Sequence, residues 1–174
     1  KELPSTTQII EKGIVQPWLY EFEGIVSPTP RVSAGATGMG VNVTSPEPDA
    51  VVRKMPVLIH VNGKIYPSMI LENVRLLNKS KRIKVIAKEH GIDEVLVSKK
   101  AGIPVNHNAE MYINYAEPVL YENISATDIL TDNFDKEKIK NRIIVVGLDA
   151  AGLSVLKYTP HGLMTDQNIT AQAL

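Results

Sequence analysis

Apolar residues along this chain fall in short clusters punctuated by proline, glycine and asparagine, which predicts many brief elements rather than a few long ones. The clearest signal is Val57-Leu58-Ile59-His60-Val61 and Lys64-Ile65-Tyr66 on either side of Asn62-Gly63. That dipeptide tolerates the positive φ angles of a type I′ turn, so the stretch predicts a β-hairpin, with His60 alternating onto its solvent side. Pro67-Ser68 then opens a helix, because Ile70, Leu71, Val74 and Leu77 recur at helical spacing on one face. Ile143-Ile144-Val145-Val146 is a continuous β-branched run, the pattern of a strand buried on both faces.

Other segments read less distinctly. Residues 3–13 carry Ser5-Thr6-Thr7 ahead of Ile9 and Ile10 and stop at Gly13, which predicts a short capped helix. Pro17, Pro28 and Pro30 break residues 15–31 into loop, with Trp18, Tyr20 and Phe22 covering a core edge from outside. Short strands are expected at 41–44, 83–87, 94–97 and 111–115, and a short polar helix at 134–141. Ser125 with Asp128 has the form of a capping box ahead of Ile129 and Leu130, and a further helix starts at Ile169. The mixture predicts an α/β or α+β fold: a single domain over residues 1–174, its mixed β-sheet flanked by short helices.

Composition narrows the function classes. Apolar residues make up 44% and charged residues 22%, the balance of a folded globular chain rather than a disordered one. The 19 basic residues match the 19 acidic ones, so no net field draws the chain to nucleic acid. The densest basic stretch, Lys79, Lys81, Arg82 and Lys84, reads as a solvated face. Cysteine is absent, which excludes disulfides, thiolate metal sites and cysteine nucleophiles. No apolar run approaches the roughly 20 residues that span a bilayer, and the opening Lys1-Glu2-Leu3-Pro4 has no signal-peptide pattern. The chain reads as a piece of something longer.

Candidate chemistry is sparse. Gly147-Leu148-Asp149-Ala150-Ala151-Gly152 follows the β-branched run as a glycine-containing turn, and a nucleotide-dependent enzyme using that loop is the alternative reading of the chain. A dinucleotide site needs G-x-G-x-x-G opening a helix, however, and a Walker A loop needs Lys and Ser or Thr after its second glycine. Here the glycines stand five apart and Leu153-Ser154 follow, so a tight turn at a sheet edge is the better account. His60, His90, His107 and His161 show no ligand spacing, so no metal or cofactor is expected. No G-x-S-x-G elbow or paired carboxylates suggest a catalytic group.

The last third carries in order Ile113-Asn114-Tyr115, the run from Ile124 through Ser125 and Asp128 to Leu130, Lys140-Asn141-Arg142 leading into the β-branched run, Thr159-Pro160-His161-Gly162, and Ile169-Thr170-Ala171-Gln172. The order of these pieces resembles CHASE2, an extracytoplasmic sensory module of bacterial signalling proteins. Upstream, Gly40-Val41-Asn42, Pro48-Asp49 with Arg53, and Tyr66-Pro67-Ser68 fall where similar elements stand in that family. The chain departs from the family pattern at Val155, at Thr165-Asp166, and at Thr170 and Gln172, and the front of the module is expected to be missing.

The resemblance implies a non-catalytic periplasmic domain of a membrane-anchored receptor, coupled to a cytoplasmic nucleotide cyclase or kinase. Its partner would be an unidentified small-molecule or protein signal, and a homodimer is one assembly that the resemblance allows. Open α/β sheets bind ligands in crevices outside strand ends, which points to the carboxyl end of the 143–146 run. Asp149, Thr159 and His161 are the candidate ligand contacts there, with Arg53 and Asn114 as outside candidates.

Overall fold

The computed structural model describes residues 7–44, 47–99, 101–116, 123–148 and 154–174. The chain gathers into two compact units, Lys1–Ile113 and Asn114–Ala173. Mixed α and β content is observed, and among the described residues the strands distribute over four small sheets.

In the first unit, β1 (Gln8–Lys12) lies at the edge of a four-stranded sheet, parallel to β6 (Arg82–Lys88). Antiparallel β7 (Gly91–Leu96) and β8 (Gly102–Ile103) continue that sheet in the order β1-β6-β7-β8. Alternation along β6 turns Ile83, Val85 and Ala87 inward and Arg82, Lys84 and Lys88 outward. A second sheet places β2 (Tyr20–Phe22) parallel to β4 (Leu58–Val61), which pairs antiparallel with β5 (Lys64–Pro67). β3 (Lys54–Pro56) and β9 (Glu110–Tyr112) form a separate antiparallel pair.

The β4–β5 hairpin forms as expected: Asn62 and Gly63 take φ of 48° and 78°, and Val61 pairs with Lys64. Both turn residues therefore lie in the left-handed region that this turn requires. After the short turn α1 (Pro30–Ser33), helix α2 (Met69–Leu77) follows the hairpin, capped by Ser68, whose hydroxyl accepts a hydrogen bond from the Leu71 N–H at 3.2 Å. Ile70 and Leu71 are buried, and Leu58, Leu71, Ile83, Val85 and Val95 belong to one core cluster. Leu77, at the last turn, is exposed instead of completing the apolar face. Glu72 and Arg75 take part of the buried side of the helix.

Residues 8–12 form a strand rather than the expected helix. The β-branched pair Ile9 and Ile10 suits an extended chain, and β6 supplies a ladder that so short a segment could not replace with helical bonds. Tyr20–Phe22 is likewise a strand, not only a cover, whereas residues 41–44 contribute a single bridge, Val41 to Ser68. His60 does not face solvent: its side chain is 13% exposed, with Nδ1 3.5 Å from Glu21 Oε1.

The second unit contains α3 (Ala126–Leu130), a 3-10 turn at Lys136–Lys138, the hairpin of β10 (Leu156–Thr159) with β11 (Gly162–Thr165), and α4 (Asp166–Ala173). Ser125 caps α3 by accepting from the Thr127 N–H at 3.2 Å. The polar helix expected at 134–141 shrinks to that one turn. Residues 143–146 form no strand, and Val146 is 90% exposed. A β-branched run becomes a strand only where neighbours pair with it, and the other strands described in this unit pair with each other as a hairpin.

Candidate functional site

The sequence-derived candidates are divided between the two units, with Arg53 in the first and Asn114, Thr159 and His161 in the second. Thr159 and His161 occupy the tip of the β10–β11 hairpin, where Thr159 pairs with Gly162 across a two-residue connection. The Thr159 hydroxyl donates to the Gly162 carbonyl at 2.7 Å and accepts from the His161 N–H at 3.2 Å, so it holds the turn together. Gly162 takes φ of 100° there, a conformation that glycine enters at little cost. His161 is exposed, and its ring centroid lies 6.1 Å from that of Tyr115 at a 30° tilt. Asn114, exposed, immediately precedes Tyr115. Asp149 lies outside the described residues.

Residues 143–146 are not a strand, so the strand end that placed the expected crevice does not occur, and residues 149–153 beyond it lie outside the described residues. Most of the Gly147–Gly152 stretch lies outside the described residues, and the first element described beyond it is the strand β10. Gly147 lies close to the side chain of Gln167, which donates to the Leu148 carbonyl.

Arg53 belongs to the first unit and is already engaged. Its guanidinium grips Asp49 with two bonds, Nη1 to Oδ1 at 3.0 Å and Nη2 to Oδ2 at 2.7 Å, and Nη1 reaches Glu47 Oε2 at 3.0 Å. The Arg53 N–H also donates to Glu47 Oε1 at 3.2 Å. The hydrogen bonds from Arg53, with that from the Val51 N–H, lower the Asp49 pKa from 3.8 to about 2, and the two carboxylates raise that of Arg53. A depressed carboxyl pKa stabilises the fold above the unfolded value and loses that effect as pH falls through the folded one. The clamp should therefore hold at pH 4 or above and be lost as the pH falls from about 4 to about 2. A carboxyl-carbon NMR titration of Asp49 checks this, and Arg53→Ala should return its midpoint to the ordinary range.

A second polar centre in the first unit had no sequence signal. Glu110 on β9 is 2% exposed and accepts from Asn106 Nδ2 at 2.7 Å, Tyr20 Oη at 3.1 Å and Lys54 Nζ at 3.2 Å. Asn106 Oδ1 accepts in turn from the N–H groups of Asn108 and Glu110, each at 3.0 Å, which fixes the turn before β9. Lys54 Nζ also stands 5.9 Å over the Tyr112 ring. Burial opposes the Lys54 charge, but the hydrogen bond and charge of Glu110 prevail and raise its pKa. Burial, then the bond to Glu110 and its charge, raise the Tyr20 phenol above 10.0. A raised pKa stabilises the fold below the unfolded value and loses that effect as pH rises through the folded one, so Tyr20 favours the fold up to about pH 10. Tyr20→Phe should flatten the decline in stability above about pH 10, read by urea unfolding at each pH.

The CHASE2 domain family model matches residues 5–174. The chain belongs to the CHASE2 family. CHASE2 is a family of extracellular sensory domains, which agrees with the resemblance read from the ordered pieces of the sequence. No match was found among curated proteins or among solved structures. In this CHASE2 domain no described helix is long and apolar enough to cross a membrane, and no described group of three or more His, Cys, Asp or Glu is placed to hold a metal ion.

Proposed function

We propose that this CHASE2 domain is the periplasmic sensor of a membrane-anchored bacterial receptor and passes an external signal to a cytoplasmic nucleotide cyclase or kinase. The family match over residues 5–174 is the observation that carries the reading. A signal molecule acts by binding one domain arrangement more tightly than another, so it shifts their populations by its difference in affinity. The surface proposed to meet it is the β10–β11 turn, where His161 stands exposed beside Tyr115, with Asn114 preceding Tyr115 in the chain. Thr159 supports that turn, while Arg53 and Asp149 remain contacts proposed from the sequence alone.

These 174 residues contain no cysteine, so one introduced among them reports on this domain alone once any cysteines elsewhere in the parent protein are replaced. In that background, His161→Cys should react with a membrane-impermeant maleimide added to intact spheroplasts. Protection until the membrane is opened would overturn the periplasmic placement. Receptor output should then fall in Asn114→Ala and His161→Ala variants, and unchanged signalling removes both residues from the site. A large rise in melting temperature with nucleotide, by contrast, would favour an enzyme domain.

A further inference from the structure

The N-terminal strand β1 is lightly anchored. It is an edge strand, only its two isoleucines are half-buried, and it pairs on one side with β6. Just before it, the Thr7 hydroxyl donates to the carboxylate of Glu72, 2.9 Å from each oxygen. That carboxylate is 3% exposed, and Arg75, itself 6% exposed, grips it through Nε at 2.8 Å and Nη2 at 2.6 Å. The remaining guanidinium nitrogen, Nη1, donates to the Ser80 carbonyl in the turn between α2 and β6. Gly38 lies so close over Glu72 that a Cβ there would collide with the carboxylate.

One buried carboxylate thus joins the N-terminal strand, the α2 helix, the loop through Gly38 and the entry to β6. A buried ion pair is poor evidence of stabilisation, since apolar residues of similar volume often do as well. Its distinguishing property is that it fixes geometry. We infer that Thr7, Glu72 and Arg75 form a latch that docks β1 as a releasable arm, so that displacement of the chain ahead of Thr7 is felt at α2 and at the start of β6. The arm has two states, docked and released, and release uncovers the outer edge of β6 while the β6–β7 ladder stays closed. Coupling between the two ends is reciprocal: whatever shifts α2 changes the docking of β1. This inference does not depend on what the domain senses.

Native-state hydrogen exchange on the 174-residue chain tests it. The β1 amides should exchange by a local opening, at least about tenfold faster than the β6 and β7 amides that bond each other. Thr7→Val keeps the shape and removes the hydroxyl, so it should speed β1 exchange by about another tenfold and leave the β6–β7 amides unchanged. The paired replacement Glu72→Leu with Arg75→Leu should keep the chain folded while β1 exchanges as in Thr7→Val. The inference is overturned if β1 exchanges in step with β6 and β7, or if Thr7→Val leaves β1 exchange unaltered.

Discussion

Replacing Glu72 with alanine should lower the unfolding free energy of the first unit by about 3–5 kcal/mol, the largest effect expected of any polar substitution here. The loss comes from what remains rather than from what is removed. Arg75 keeps its charge at a site only 6% exposed, where water cannot solvate it, and the Thr7 hydroxyl loses its acceptor. Glu72→Gln should cost less, because the amide oxygen still accepts from Arg75 and Thr7. Urea unfolding of the three proteins checks the order, and equal midpoints for Ala and Gln would show that the charge pair is already solvated.

Truncating Leu58 to alanine should cost about 2–5 kcal/mol. Leu58 is completely buried on β4 and packs in the cluster that also holds Leu71, Ile83 and Val85. The lost transfer free energy adds to that of a cavity which the surrounding strands fill only in part. The β4–β5 turn lies at the far end of its strand, so the hairpin register should persist and the urea slope should stay near that of the unaltered chain. A loss of only about a few tenths of a kcal/mol would mean that the core collapses around the gap.

What the sequence discloses follows the range of the forces involved. The Asn62-Gly63 hairpin is legible because its turn and both strands lie within a dozen residues and their local preferences agree. α2 is legible for the same reason, with Ser68 as a cap and Ile70 and Leu71 as an apolar start. β1 is not legible, since its partner β6 lies some 70 positions away and Ile9-Ile10 fits a helix or a strand equally well. Glu110 and Glu72 are missed for a different reason. A charged residue in an alternating pattern reads as a solvated face, and nothing in its own neighbourhood reveals that Lys54, Tyr20 or Thr7 will arrive to meet it. At the candidate recognition surface, Thr159-Pro160-His161-Gly162 marks a turn from its composition. The approach of Tyr115 to His161 depends on packing between segments more than forty residues apart.

The exposed run at residues 143–146 bears on how this domain behaves at high concentration. Ile143, Ile144 and Val146 offer β-branched side chains to solvent without a charge among them. Such a segment is a template for cross-β stacking between molecules, which a net charge of zero at pH 7 does little to oppose. Lys140 and Arg142 stand just ahead of it as gatekeepers, and like charges that recur on every stacked copy disfavour the fibril more than the monomer. Neutralising those two residues should cost the fold little beyond the exposed Lys140–Glu137 pair and turn solubility into the property that limits the protein.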